Sequence, residues 1–186
     1  GYEHGKLLKE LGFGINFAPV VDLNDYIWDC RNFEGNPKEI AEKAKSYIDG
    51  LQLSGVIATA KHYPGSGFIV QDLHKEIVYA TINENDTLPF GEAIRENVSA
   101  IMITHTIASG YLDSESKPST TSQRIVESLK TKFTGLIITD EINMLGLKDY
   151  YSGNLDRMFI DVFKANNDLI LNFDGDPKNL EHMISV

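Results

Sequence analysis

Groups that could transfer protons stand close together in the first half of the chain. Lys61 and His62 end an apolar run, and a glycine-hinged segment follows at residues 63–67. Asp72 then precedes His74 by two positions, and residues two apart in extended backbone point in the same direction. A carboxylate placed in this way can orient an imidazole and tune its basicity, as a general acid or base requires. The spacing alone also fits a surface loop with an unrelated aspartate and histidine.

A second candidate is Asp140, which directly follows the apolar run at residues 136–139. A carboxylate at the mouth of a buried strand lies where a substrate atom can reach it. The alternative is that Asp140 caps a helix beginning near Glu141, because aspartate is a common N-cap residue. Taken alone, the position favours the cap.

Apolar runs that could form strands recur along the chain, and these strands would position the candidate side chains. Each run is almost continuously hydrophobic, which is typical of a parallel strand covered on both faces. The five runs span residues 15–21, 56–60, 100–104, 136–139 and 168–173.

Amphipathic helical patterns separate the apolar runs. Asn36 and Pro37 supply an N-cap and a first-turn proline for an apolar stripe at residues 40–51. Ser122 is placed to cap a second helix, and residues 155–163 carry a third apolar stripe. Strands that alternate with helices at this spacing predict an α/β fold with a parallel sheet.

Polar residues follow the strands, where barrels and open α/β sheets bind their ligands. They are Asp22, Lys61, His62, His105, Asp140 and Asn172. The chain begins in a helical pattern at residues 2–11 and ends in another after Pro177. We therefore predict a (β/α)8 TIM-barrel type, here a partial barrel of about five βα units. Residues 1–186 are expected to form a single catalytic domain that lacks the first barrel strands.

Charge and composition restrict the partners. The formal net charge of −10 at pH 7 would repel nucleic acids and anionic membranes, so neither is expected to bind. The single cysteine, Cys30, excludes an internal disulfide and indicates a cytoplasmic location. No apolar run reaches the ~18 residues needed to cross a bilayer. The chain starts at Gly1 rather than at a methionine, which leaves an upstream signal peptide open.

Taken together, these motifs resemble glycoside hydrolase family 3, in particular its bacterial β-N-acetylglucosaminidase (β-hexosaminidase) branch. The resemblance covers the whole chain in order, and the loop that ends in Asp72-Leu73-His74 is specific to this branch. The matching segments are residues 14–22, 31–33, 61–74, 103–105, 139–140 and 168–171. The resemblance implies retaining hydrolysis of terminal β-linked N-acetylglucosamine from peptidoglycan- or chitin-type fragments. It implies a covalent glycosyl-enzyme intermediate and no cofactor.

Within this resemblance, each catalytic role falls on one residue. Asp140 matches the nucleophile, His74 the acid/base and Asp72 the group that holds its imidazole. Two carboxylates usually share this work, but an imidazole with a pKa of ~6.5 already titrates near working pH.

Other positions are expected to contact the sugar. Arg31, Lys61 and His62 match residues that hydrogen-bond the hydroxyls of the N-acetylglucosamine ring. His105 and Met144 are expected to line the same mouth, whereas Asp22 is expected to be structural. The implied partners are a carbohydrate substrate and the missing part of the protein's own barrel.

The chain departs from the family pattern in several places. Ser66 stands where a histidine is usual, Leu73 where a serine is usual, and Glu141 where a second aspartate is frequent. The family's upstream aspartate-rich motif, which anchors the sugar, has no counterpart. We therefore expect the isolated residues to hydrolyse substrate feebly or not at all.

Two other functions remain open at the level of sequence. One is a non-catalytic sugar-binding remnant of such an enzyme, which the missing upstream motif favours. The other is a metal-dependent barrel hydrolase using His62, His74, His105 and Asp140. The sequence has no His-x-His or His-Glu-x-x-His spacing, so no metal is expected.

Overall fold

The computed structural model describes residues 1–24, 26, 30–66, 69–72 and 74–186. Within this part of the chain the strands are β1 (Ile15–Asn16), β2 (Ile57–Tyr63), β3 (Tyr79–Ile82), β4 (Ala100–Ile103), β5 (Ile107–Gly110) and β6 (Leu136–Thr139). The α-helices are α1 (Tyr2–Glu10), α2 (Pro37–Leu53), α3 (Glu84–Arg95), α4 (Gln123–Lys130), α5 (Leu145–Tyr150), α6 (Leu155–Lys164) and α7 (Pro177–Ser185). None of these helices is long and apolar enough to cross a membrane.

The main sheet is parallel and has the strand order β1-β2-β4-β6. The apolar run at residues 168–173 continues it beyond β6 through a parallel bridge between Ile138 and Leu169. The five predicted runs are therefore neighbours in sequence order, and the predicted α/β class is confirmed. The polar residues that follow them lie along one edge.

Two of the predicted strands are shorter than expected. In the first run Pro19 has no N–H to donate, and only Ile15 and Asn16 form a regular strand. In the last run the Leu171 N–H donates to the Thr139 hydroxyl at 2.8 Å rather than to a backbone carbonyl. The Thr139 side chain thus takes the place of a backbone acceptor, and the regular strand pairing ends there.

The pair β3–β5 and helix α3 are not among the sequence predictions. β3 and β5 pair in parallel from Tyr79–Ile107 to Ile82–Gly110, outside the main sheet. β3 has only four residues and alternates between exposed and buried positions, so it leaves no continuous apolar run. Pro89 lies inside α3, where proline normally argues against a helix.

Both faces of the main sheet are covered. Helices α2, α3 and α4 pack on one face and enclose a large core, which includes Ile48, Leu51, Phe90, Ile101, Leu129 and Ile137. A smaller cluster covers the opposite face and contains Ala100, Met102 and Ile138, with Ile57 and Leu171 packed against it. This two-sided burial explains why the strands lack polar alternation.

We expect the cap of α2 to contribute measurably to stability. The Asn36 side chain accepts hydrogen bonds from the backbone N–H groups of Lys38 at 3.0 Å and Glu39 at 3.1 Å, and the Glu39 carboxylate accepts one from the Asn36 N–H at 2.9 Å. Asn36→Ala should lower the free energy of unfolding by ~1 kcal/mol, measured by urea denaturation. Lys38→Ala in the same turn is the control, and equal losses in both variants would contradict the capping role.

Candidate active site

The sequence candidates at the ends of β2, β4 and β6 meet at one edge of the sheet. Lys61 and His62 lie near the end of β2, His105 follows β4, and Asp140 directly follows β6. All three basic residues are close enough to Asp140 to influence its ionisation electrostatically. The sheet therefore brings together four of the predicted site residues.

Asp140 is buried, with 8% of its surface exposed, and remains ionised. Burial acts to raise the pKa of its carboxyl group, but His62, His105, Lys61 and the Glu141 N–H outweigh burial and lower the pKa. Oδ1 accepts a hydrogen bond from the Glu141 N–H at 2.8 Å. Oδ2 has no hydrogen-bond partner among the residues that the structure describes.

The helix-capping alternative for Asp140 is wrong. The next helix, α5, begins at Leu145, and its N-cap residue is Met144. Asp140 lies a full turn too early to cap it. The only described hydrogen bond of its carboxylate is the one from the Glu141 N–H.

Lys61 is a half-buried cation beside this carboxylate. Burial lowers the pKa of the Lys61 ammonium, and Arg31 acts in the same direction, whereas Asp140 and Asp22 oppose the shift. Within the described part of the chain, Nζ makes no hydrogen bond or ion pair. Lys61 and Arg31 line a cleft of about 340 Å³, together with apolar residues that include Phe17 and Tyr47. We call this the Lys61 cleft.

His62 is held by Asp22. One oxygen of the Asp22 carboxylate, Oδ2, accepts hydrogen bonds from both the His62 backbone N–H at 3.1 Å and the ring Nδ1–H at 2.9 Å. Both side chains are almost fully buried. Because a carboxylate only accepts, Nδ1 carries the proton, and the ring orientation is fixed. Asp22, which was expected to be structural, thus fixes the orientation of the His62 ring.

His105 has both ring nitrogens occupied within the protein. Nε2 donates to the Glu141 carbonyl oxygen at 2.8 Å, and Nδ1 lies 2.8 Å from the Thr120 hydroxyl. Burial lowers the pKa of the imidazole despite the opposing influence of Asp140. The expected sugar contact would require His105 to give up one of these partners. In the described geometry His105 fixes the backbone beside Asp140 instead.

The segment that follows β2 begins with buried residues, which include Gly65 and Ser66. Gly65 has φ +114°, and a Cβ there would approach the Asp86 backbone oxygen to 3.1 Å, so only glycine fits. Ser66 is buried and accepts a hydrogen bond from the Asn24 amide at 3.2 Å. This contact stabilises the position where the family usually has histidine. Gly67 and Leu73 lie outside the described residues.

Asp72 and His74 form the predicted pair. The Asp72 Oδ1 atom accepts hydrogen bonds from the His74 backbone N–H at 2.9 Å and from the ring Nδ1–H at 2.8 Å. Burial acts to raise the pKa of Asp72, but these bonds and the Lys75 ammonium lower it to about 2. The carboxylate therefore remains charged at working pH. The His74 side chain is 60% exposed, and its Nε2 atom makes no contact of this kind in the described region.

His74 lines a second cleft, which shares no lining residue with the Lys61 cleft. This cleft also has a volume of about 340 Å³, and we call it the His74 cleft. Its walls are formed by Glu141, Asn143, Met144, Leu145, Lys148, Phe173 and Asp174. Met144 lines this cleft and does not line the Lys61 cleft.

Glu141 connects the end of β6 to the end of the run at residues 168–173. It was not among the predicted site residues. Its Oε1 atom accepts hydrogen bonds from the Asn143 backbone at 2.9 Å and side chain at 2.6 Å, and Oε2 accepts one from the Phe173 N–H at 2.6 Å. The only sequence signal was its place next to Asp140. The extra methylene compared with aspartate extends its reach toward residue 173.

The described residues do not assemble a metal site. No group of three or more histidine, cysteine, aspartate or glutamate side chains in the described ranges could hold a metal ion. His62 and His105 instead direct ring nitrogens to Asp22, Thr120 and Glu141. This arrangement does not support the metal-dependent alternative.

A buried ionised carboxylate at the mouth of a parallel sheet is typical of barrel glycosidases, and a loop-borne histidine paired with a carboxylate accompanies it here. The chain belongs to glycosyl hydrolase family 3: the model of that family's N terminal domain matches residues 1–185. The family suggested by the sequence motifs is thereby confirmed.

Named relatives agree with this assignment. The chain is 32% identical over 175 residues to a beta-hexosaminidase of Idiomarina loihiensis, covering 88% of this chain and 51% of the relative. It is 29% identical over 189 residues to beta-hexosaminidase A of Pseudoalteromonas piscicida, covering 90% and 31%. The chain thus spans about half the length of the first of these relatives and less of the second.

Solved structures share the fold. A family 3 beta-N-acetylglucosaminidase from Paenibacillus sp. superposes with a TM-score of 0.81 at 26% identity. The match covers 91% of this chain and 34% of that one. The predicted partial barrel is therefore consistent with a neighbour of the same family.

We expect Asp22 to determine the state of the His62 ring. In ring-nitrogen NMR spectra, Nδ1 of His62 should be protonated, because it faces a carboxylate at 2.9 Å. Asp22→Ala should shift this signal and lower the free energy of unfolding by ~1–3 kcal/mol, since a buried donor loses its partner. Asp72→Ala is the control and should leave the His62 signals in place. An unprotonated Nδ1 in the unmodified protein would refute the arrangement.

Proposed function

We propose that the protein hydrolyses glycosides with terminal β-linked N-acetylglucosamine, with retention of configuration, through a covalent intermediate on Asp140. The observation that carries this proposal is the Asp140 carboxylate, which is buried, ionised and unengaged at Oδ2 among the described residues. The Asp72–His74 pair supplies an oriented acid/base at the same edge. The beta-hexosaminidase names of the relatives support the choice of sugar.

In the first step an oxygen of the Asp140 carboxylate attacks the anomeric carbon. The bond from that carbon to the leaving oxygen breaks, and the leaving oxygen takes a proton from Nε2 of a protonated His74. The product of this step is a glycosyl ester on Asp140 and a released alcohol. Asp72 stabilises the charged imidazole before the transfer and keeps Nδ1–H in place during it.

In the second step water attacks the anomeric carbon from the side that the leaving group has vacated. Nε2 of neutral His74 takes a proton from this water, and the ester bond to Asp140 breaks. The carboxylate is regenerated, and two displacements give net retention. The exposure of His74 suits it to both steps, because the leaving group and the water must reach the same nitrogen.

The sugar is proposed to lie in the Lys61 cleft. The Lys61 ammonium makes no hydrogen bond to the described residues and can donate to ring hydroxyls, and Arg31 lines the same cleft. His62 is fixed nearby by Asp22 and contributes a ring of defined orientation. We assign His105 a supporting role, because its nitrogens are already bonded. A cytoplasmic location stays a prediction from the single cysteine.

The proposal predicts different consequences for the two catalytic residues in the full gene product. Asp140→Ala removes the covalent route, so kcat should fall by ~10³-fold or more on every substrate. His74→Ala should cost ~10²–10⁴-fold on a disaccharide, whose alkoxide needs a proton to leave. The first step on a nitrophenyl glycoside should suffer far less, because nitrophenolate leaves unaided. Slow second-step hydrolysis should then produce a burst of nitrophenol.

His182→Ala is a matched control for this experiment. His182 also pairs with a carboxylate, Asp156, at 2.7 Å, but it lies on α7 and lines neither cleft. Its loss should leave both activities within a factor of about two. Equal losses on both substrates in His74→Ala, with no burst, would remove the acid/base role from His74.

A further inference from the structure

The Lys61 cleft and the His74 cleft are lined by different chemistry. Resting on the proposed function, we infer that the His74 cleft receives the leaving group and that Phe173 is a stacking surface for a pyranose ring there. Phe173 would thus make the enzyme selective for sugar leaving groups over small ones. The inference rests on the position of His74, on the attachment of Phe173 and on the charges of the cleft.

The position of His74 decides which cleft holds the leaving group. An acid that protonates the leaving oxygen must lie within hydrogen-bond reach of it, at roughly 2.6–3.2 Å. His74 lines the cleft formed with Met144 and Phe173, and it does not line the Lys61 cleft. We therefore assign the leaving group to the His74 cleft and the glycone to the Lys61 cleft.

Phe173 presents an exposed ring on a fixed backbone. Its side chain is 70% exposed, and its N–H donates to the Glu141 carboxylate at 2.6 Å. The preceding residue, Asn172, accepts hydrogen bonds from the Asn143 side chain at 2.7 Å and the Asp174 N–H at 2.8 Å. An aromatic ring on a backbone that is held in this way offers a flat apolar surface with only two side-chain torsions to fix. The C–H face of a pyranose is complementary to such a surface.

The charges of the His74 cleft disfavour an anionic occupant. Lys148 and Asp174 face the same cleft, and Lys148 is close enough to contribute to the lowered pKa of Asp174. The charge of the ammonium thus offsets that of the carboxylate. The Glu141 oxygens are already occupied by backbone and amide N–H groups. Hydroxyl groups can bond to such a rim, whereas an anionic leaving group gains no net attraction from it.

The experiment compares two substrates with the same glycone in the full gene product. N-acetyl-β-glucosaminyl fluoride loses only a fluoride ion and cannot use the stacking surface, whereas diacetylchitobiose places a pyranose there. Phe173→Ala should reduce kcat/KM on the disaccharide about three- to tenfold, the usual worth of an aromatic contact. Activity on the fluoride should stay within a factor of about two. Phe173→Trp should retain activity on both substrates.

Phe163→Ala is the matched control, because Phe163 is an exposed phenylalanine on α6 that lines neither cleft. It should leave both substrates unaffected. Equal losses on fluoride and disaccharide in Phe173→Ala would show a merely structural role and overturn the inference. An unchanged disaccharide rate would overturn it as well. If the unmodified protein hydrolyses neither substrate, the proposed function itself fails, which is a distinguishable result.

Discussion

The site depends on the cost of burying the Asp140 carboxylate. A buried ion without compensation is expensive enough that a carboxyl group normally takes up a proton instead. Asp140 remains ionised because His62, His105 and Lys61 surround it and the Glu141 N–H donates to it. The burial that makes this charge costly also leaves it poorly solvated. A poorly solvated carboxylate with one unengaged oxygen is suited to attack carbon.

The buried groups beside Asp140 need hydrogen-bond partners of their own. His62 receives its own carboxylate, Asp22, through two hydrogen bonds to one oxygen. His105 is fixed by Thr120 and by the carbonyl group of Glu141, the residue that also donates to Asp140. The edge of the sheet is therefore a connected network rather than a row of separate side chains. Replacing one member should alter the orientation of the next.

The acid/base is positioned by a different principle. The Asp72–His74 pair lies on an exposed loop and depends on short-range geometry, since both groups belong to one turn. Earlier in the chain, Gly65 lies against Asp86 and Ser66 is bonded to Asn24. A buried nucleophile and an exposed acid/base fit the proposed reaction, because only the second must meet both leaving group and water.

Much of this arrangement could be predicted from the residues. Continuous apolar runs identify parallel strands, and the polar residue after each run marks the functional edge, which is why Asp140 and Lys61 were found. Short alternating strands such as β3 leave no such signal, and Pro89 concealed α3. The bonding of His105 could not be predicted, because Thr120 is distant in sequence and meets it only in the fold. Phe173 looks like any apolar residue at a strand end until its exposure is known.

The central claim is that Asp140 forms a bond to the anomeric carbon. The direct measurement uses the full gene product and a fluorinated N-acetylglucosaminyl fluoride, which forms the glycosyl-enzyme faster than water can cleave it. After rapid denaturation and proteolysis, mass spectrometry should find one added sugar on the peptide that contains Asp140. The label should be absent from the Asp140→Ala protein. A sugar attached to another residue, or continued turnover of natural substrate by Asp140→Ala at an undiminished rate, would contradict the account.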